Sequence, residues 1–232
     1  MQTIGILGGM SAASTQIYYR KMCELVRQRL GGLHSPELLI RSLDFANIEH
    51  LQASGKWDDA ATLLNKEALA LARGGADFIV LATNTMHKLA DQMMSGVSIP
   101  LLHIADATAA RILAAGLKAP GLMATAFTME QAFYLDRLRA VKLQPVIPND
   151  ADRAEVHRII YQELCQDVIN PASRAVYENI AQRLADNGAD CVILGCTEVG
   201  MLLNRDNVSV PVFDTTLIHC EAAVDKALGA SV

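Results

Sequence analysis

An internal repeat constrains this chain more than any other feature. Gly75-Ala76-Asp77-Phe78-Ile79-Val80-Leu81-Ala82-Thr83-Asn84-Thr85 aligns without gaps against Gly188-Ala189-Asp190-Cys191-Val192-Ile193-Leu194-Gly195-Cys196-Thr197-Glu198, at an offset of 113 residues. Downstream, Ile99-Pro100-Leu101-Leu102-His103 matches Val210-Pro211-Val212-Phe213-Asp214 at an offset of 111. Ile4–Ser11 is echoed more weakly near Gly121–Thr128. Each half reads as helix, Gly-Ala-Asp turn, apolar strand, polar strand end, loop, and a strand opened by proline. Two pieces in the same order and nearly the same register favour duplication over chance similarity of α/β units. The 232 residues therefore read as two similar lobes of roughly 110 residues rather than one large domain.

Short apolar runs alternate with longer helical patterns along the chain. Strands are predicted at Thr3–Leu7, Leu38–Leu43, Phe78–Ala82, Pro100–His103, Pro120–Ala124, Gln144–Ile147, Cys191–Leu194 and Val210–Phe213. Apolar residues at three- and four-residue spacing predict helices over Trp57–Arg73, Thr108–Ala114, Glu130–Arg139 and Arg174–Asn187. Ser173 is expected to cap the last of these, and Gly188 to stop it. Strands fed by intervening helices imply parallel sheets covered on both faces. The expected fold class is α/β, with two pseudo-symmetric Rossmann-like lobes of parallel sheet flanked by helices. The first lobe is expected to hold residues 1–103 with 213–232, and the second residues 104–212.

Hydrophobic residues make up 51% and charged residues 19%, which excludes a disordered chain. A net charge of −5 argues against nucleic acid or an anionic membrane as the main partner, because both call for a basic face. No stretch approaches the roughly 20 apolar residues of a membrane span. The chain runs directly into Thr3-Ile4-Gly5-Ile6-Leu7-Gly8-Gly9 without a basic leader or cleavage site, so a cytoplasmic location is expected. The five cysteines, Cys23, Cys165, Cys191, Cys196 and Cys220, form no CxxC and no zinc-finger spacing. The remaining histidines, His34, His50, His157 and His219, form no metal-spaced cluster, and no metal site is expected.

In parallel α/β sheets, ligands bind beyond the carboxyl ends of the strands. Thr83-Asn84-Thr85 and Cys196-Thr197-Glu198 both follow apolar strands and fall at such ends. Two readings of Cys196 stand side by side: a reactive thiol, favoured by polar neighbours, or a buried structural cysteine, the commoner fate of an unbridged Cys. Cys191, inside the strand, fits the structural reading. Thr83 is the repeat mate of Cys196, with a far weaker acid in its hydroxyl; capping of the strand end is its alternative. Asn84, Thr85 and Thr197 offer groups for a carboxylate, although turn chemistry also selects them. Gly8-Gly9-Met10-Ser11 follows the first strand and lets backbone N–H groups approach an anion, but it is neither GxGxxG nor a P-loop. His87 lies four residues past Thr83 and His103 at another strand end, paired with Asp214 in the repeat. Arg41 and Lys88 are candidate cations for a second substrate carboxylate, with a surface role as the alternative.

Ile4-Gly5-Ile6-Leu7-Gly8-Gly9-Met10-Ser11, Thr83-Asn84-Thr85-Met86-His87 and Gly195-Cys196-Thr197-Glu198 resemble the three signature regions of the aspartate/glutamate racemase family. The likeness runs nearly end to end, including Gln28–Ser35 and His103-Ile104-Ala105-Asp106, and is strongest to the enterobacterial branch. The resemblance implies a racemase of amino acids independent of pyridoxal phosphate and of any other cofactor. Two lobes of similar fold would enclose the substrate, and two acid/base residues would flank its α-carbon. In the family's usual pattern both are cysteines. Here Cys196 is one, and Thr83 stands in place of the other. The resemblance further implies that Met10, Ser11, Asn84, Thr85, Thr125 and Thr197 bind the amino acid, that His87 and Glu198 support the site, and that the protein is a homodimer. Related aspartate racemases often carry a basic residue after the Glu-Leu near Tyr161; here the run is Gln162-Glu163-Leu164-Cys165-Gln166. That departure argues against strict aspartate specificity and leaves room for glutamate or a neutral amino acid. The departure at Thr83 also leaves open a single-cysteine lyase or isomerase of the same superfamily, or a non-catalytic amino-acid-binding protein.

Overall fold

The computed structural model describes residues 1–166 and 168–229, without the side chains of Glu198 and Met201. It divides into two compact units, Met1–Ile104 with His219–Val232, and Ala105–Ile218.

In the first unit, β1 (Ile4–Gly8), β2 (Leu38–Ser42), β3 (Phe78–Leu81) and β4 (Leu101–Leu102) form a parallel sheet in the order β2-β1-β3-β4. Parallel neighbours need crossovers. These are α1 (Ala12–Leu30) between β1 and β2, and α2 (Phe45–Ala53) with α3 (Trp57–Arg73) between β2 and β3. Side chains alternate across the sheet, so both faces must be covered. Ile4, Ile6, Phe78 and Val80 pack under Tyr18, Met22 and Val26 of α1 and Ala223 and Val224 of α10 (Thr215–Leu228). Leu7, Ile79 and Leu81 pack under Leu64, Ala68 and Leu71 of α3. Each such Leu or Ile contributes about 1.5–3 kcal/mol by leaving water. This is why β1 and β3 read as continuous apolar runs: every residue of both is buried.

The second unit carries β5 (Pro120–Ala124), β6 (Cys191–Gly195) and β7 (Val212–Asp214), parallel in the order β5-β6-β7. The strand predicted at 144–147 is reduced to an isolated parallel bridge between Val146 and Gly121. Pro145 and Pro148 flank Val146 and have no N–H to give to a ladder. With that bridge outside β5, the second sheet repeats the strand order of the first. The chain returns to the first unit at 218/219, later than the 212/213 expected, because β7 pairs with β6.

Three helices differ in their bounds from those the sequence predicts. The helix predicted over 130–139 is broken at Gln131, whose backbone is extended (φ −94°, ψ 148°), into α6 (Ala126–Glu130) and α7 (Ala132–Ala140). The helix expected from 108 begins earlier, as α5 (Ile104–Ala114), after the short α4 (Ala90–Met93). The helix expected from 174 begins at Pro171, as α9 (Pro171–Asp186), after α8 (Asp150–Gln162). Its cap is Asn170, whose side chain accepts from the Ala172 N–H at 2.9 Å, with proline at the first helical position. Ser173 lies inside the helix and donates to Glu163 Oε2 at 2.5 Å.

The repeated Gly-Ala-Asp is the joint between helix and strand. Gly75 (φ +96°) and Gly188 (φ +95°) take the left-handed turn that ends α3 and α9. Ala76 N–H then donates to Leu71 O (3.1 Å), as Ala189 N–H does to Leu184 O (3.0 Å). Asp77 accepts from Thr3 N–H at 2.7 Å; Asp190 accepts from Lys118 N–H at 2.7 Å and Ala119 N–H at 3.0 Å. Each aspartate thus ties the start of its own strand to the start of the strand beside it.

Candidate active site

The register of the strands decides which predicted residues gather at each carboxyl edge. In the first unit Leu7 pairs with Leu81, so Gly9–Ser11 and Ala82–Thr85 leave the sheet beside one another. In the second unit Ala124 pairs with Gly195, so Thr125 and Cys196 are the first residues past the ends of neighbouring strands.

Cys196 is half-buried and extended (φ −144°, ψ 137°), and it precedes a 3-10 turn over Thr197–Met201. The Val199 N–H donates to its carbonyl at 3.1 Å. Gly195 is required at the strand end because a Cβ there would meet Ala124 Cβ at 2.7 Å. Cys191 is fully buried, and burial first, then Asp190, pushes its thiol well up, which keeps it a neutral core residue. Thr125 is 6% exposed, and its hydroxyl lies 3.2 Å from that of Thr128. Thr197 is half-buried at the head of the turn. The Glu198 side chain lies outside the described residues.

Thr83 is also half-buried, and a 3-10 turn over Thr85–Leu89 follows it after one intervening residue, Asn84. The repeat therefore extends from sequence to local geometry at both strand ends. Asn84 and Thr85 are each 5% exposed. Ser11 caps α1, accepting from Ser14 N–H at 3.2 Å. Met10 packs into the core with Leu7 and Ile48, leaving its backbone rather than its side chain at the edge. The Gly9 N–H donates to Thr15 Oγ1 at 2.7 Å, so that amide is committed within the protein. His87 is 2% exposed; Nδ1 lies 2.7 Å from the Thr83 carbonyl, and Nε2 accepts from the Ile104 N–H at 3.3 Å.

Both candidate cations are engaged elsewhere. Arg41 Nε donates to Glu67 Oε2 at 2.6 Å, which raises the guanidinium's pKa. Lys88 Nζ sits 4.0 Å over the Trp57 ring, and burial lowers its pKa. On α8, Arg158 pairs with Glu155 and with Glu163 (3.0 Å), hydrogen bonds that raise its pKa.

Two neighbours of the second edge escape sequence reasoning. Tyr177 donates to the Val156 carbonyl at 3.0 Å. Burial pushes its phenol well up, reinforced by Cys196, Glu163 and Cys165 nearby, so it stays protonated beside the Cys196 strand end. In sequence it is one of the buried positions of α9 with Ser173, Ile180, Ala181 and Leu184, indistinguishable from core. His157 Nδ1 accepts from the Ala126 N–H, next to Thr125, at 3.2 Å, which leaves the proton on Nε2. Burial lowers its pKa, and its ring packs 4.7 Å from Tyr161 and 6.0 Å from Phe127. Its signal in the sequence, an i, i+4 pair with Tyr161, is weak. Among the described residues, no group of three or more His, Cys, Asp or Glu is placed to hold a metal ion. No helix among them is long and apolar enough to cross a membrane.

A parallel α/β unit that occurs twice along one chain, each copy carrying a hydroxyl or thiol between the end of an interior strand and a 3-10 turn, matches the architecture of Asp/Glu racemases. The sequence profile of the Asp/Glu/Hydantoin racemase family matches residues 7–223, and the chain belongs to that family. It is 48% identical to a candidate Asp/Glu racemase from Yersinia pestis, with a TM-score of 0.92 over 98% of this chain and 100% of the other, in keeping with the enterobacterial branch. An aspartate racemase homologue from Pyrococcus horikoshii is 35% identical, with a TM-score of 0.85 over 98% and 100% of the two chains. The broad specificity amino-acid racemase RacX of Bacillus subtilis is 25% identical over 97% of this chain and 98% of its own.

Proposed function

We propose that this protein is a cofactor-independent racemase of amino acids, glutamate and aspartate or a broader set, acting in the cytoplasm as a homodimer. Cys196 is its acid/base thiol, and Thr83 stands in place of a second cysteine. The observation that carries the reading is Cys196 itself: a half-buried thiol one residue past the buried β6 strand, with Thr125 at the adjoining strand end. As thiolate, Cys196 takes the α-proton and leaves a carbanion conjugated with the substrate carboxylate; as thiol, it returns a proton to that carbon. Ser11, Asn84, Thr85, Thr125, Thr197 and the Met10 backbone supply polar groups for the α-carboxylate and amine. His87 and Glu198 support the strand ends. RacX, by its description a broad specificity racemase, supports a substrate range wider than one dicarboxylate. So does the engagement of Arg41 by Glu67 and of Arg158 by Glu155 and Glu163.

The threonine hydroxyl is a far weaker acid than a thiol, so proton exchange at Thr83 is slower than at Cys196 and passes through water. The two enantiomers then lose their α-protons at unequal rates, while the equilibrium ratio remains that of the free amino acids. The test is deuterium entry at Cα in D2O for L- and D-glutamate, aspartate and neutral amino acids. Cys196→Ser is expected to lower exchange by about 100-fold or more, and unchanged exchange would sink its assignment. Thr83→Cys is expected to raise exchange from the slower enantiomer; no change would argue against paired bases.

Thr83 also favours a second reading, a one-thiol lyase or isomerase. That reading is met if a dicarboxylate releases CO2 or forms a double bond while no amino acid exchanges. Binding of amino acids with neither outcome would instead mark a non-catalytic receptor.

A further inference from the structure

The first unit buries a group of histidines to which the α-proton chemistry assigns no proton transfer. His87, His103 and His219 are 2%, 5% and 0% exposed. The His87 ring centroid lies 4.3 Å from that of His103 and 6.1 Å from that of His219. The hydrogen bonds assign two opposite neutral tautomers. A backbone amide can only donate, so Nε2 of His87, which receives the Ile104 N–H at 3.3 Å, holds a lone pair. The proton is therefore on Nδ1, which donates to the Thr83 carbonyl at 2.7 Å. His219 is reversed: Nε2–H donates to the Leu102 carbonyl at 2.9 Å, and Nδ1 accepts from the Tyr18 hydroxyl at 2.8 Å.

We propose that His87 is a positioning residue, a neutral imidazole locked as its Nδ1–H tautomer that clamps the Thr83 peptide to the first N–H of α5. Ile104 opens α5, and its amide is one of those that a helix start leaves without an intrahelical acceptor. A doubly protonated ring would have no lone pair for Ile104. The Nε2–H tautomer would set a proton against that amide and a lone pair against the Thr83 carbonyl. The two bonds together admit one state. Thr83 is held from its other side by its own N–H to Leu81 O at 2.9 Å, and Ala82 by Ser14 Oγ to its carbonyl at 3.2 Å. With the peptide pinned at both ends, the Cα–Cβ direction of Thr83 is set. The catalytic consequence rests on the racemase reading; the clamp itself does not.

Two variants separate the halves of the clamp. His87→Asn places an amide donor near Nδ1 and keeps the bond to Thr83; His87→Gln places a carbonyl near Nε2 and keeps only the acceptor for Ile104. Initial deuterium entry from each enantiomer reports one base, so the Cys196-dependent enantiomer is an internal control. His87→Gln is expected to lower exchange on the Thr83-dependent enantiomer about tenfold and leave the other within about twofold. His87→Asn is expected to rescue the first to within about threefold. Equal losses from both enantiomers, or loss in Asn but not in Gln, overturn the assignment. Nitrogen-15 spectra of the imidazoles near neutral pH test the clamp without activity. Nδ1–H at His87 with Nε2–H at His219 supports it, and Nε2–H or averaged signals at His87 overturn it. If the wild-type protein exchanges neither enantiomer, the racemase reading fails, and the spectra still decide the clamp.

Discussion

At Gly9 the backbone turns with φ +86°, and a Cβ built there would lie 2.2 Å from both N and O of Leu43. Beside it, a Cβ on Gly8 would meet Thr15 Oγ1 at 2.4 Å. The glycines of Gly8-Gly9-Met10-Ser11 thus let the end of β1 pass against the end of β2, where the Leu43 N–H donates to Gly8 O at 3.0 Å. Gly9→Ala combines left-handed strain with a clash against backbone, and is expected to cost about 3 kcal/mol or more. Urea unfolding of the variant measures this; a loss below about 1 kcal/mol would contradict the packing. Cys196 and Thr83 were legible because the repeat sets them at matching strand ends. Tyr177 and His157 were not, because their approach to Cys196 and Thr125 depends on how α9 and α8 pack on the sheet.

Among the elements, the Gly-Ala-Asp joint is the part of the repeat with a purely structural task. Its two copies are not equally bonded: Asp190 accepts from two backbone N–H groups and Asp77 from one. Asp190→Ala is expected to cost about 2 kcal/mol and Asp77→Ala about 1 kcal/mol, as each acceptor lost strands a donor at a strand start. Equal midpoint shifts in denaturant would refute that ranking. The helix over Trp57–Arg73 has the bounds its sequence predicts, since its apolar stripe is long and Gly74 follows. The helix ends near 131 and 170 depart from the periodicity because a single extended residue, and an Asn-Pro cap, outweigh it.

At the scale of the whole molecule, the buried His219 makes stability depend on pH. Burial pushes its pKa down to about 4 from the ordinary 6.5. It is therefore neutral in the native protein, whereas in the unfolded chain it takes up a proton once the pH falls below about 6.5. Its neutral form stabilises the fold fully above that pH, and this contribution is lost as the pH falls towards 4, amounting to about 3 kcal/mol. His219→Gln removes the titration, so the variant is expected to show a flatter fall in urea midpoint between pH 6.5 and 4 than the wild type. Parallel curves would place the acid sensitivity elsewhere.

By itself the sequence determined the parallel α/β class, the duplication, most strands and the placement of Cys196 and Thr83 at strand ends. Those properties follow from period, punctuation and repetition, which are local. Only the tertiary structure decided which strand ends share an edge. It also decided that the chain leaves the second unit after β7, that Arg41 is held by Glu67, and that His87 spans from Thr83 to α5. Arg41 meets Glu67 from 26 residues away and His87 meets Ile104 from 17, while Tyr18 meets His219 across 201 residues. Hydrogen-bond direction and burial, not residue type, choose the tautomers and partners there.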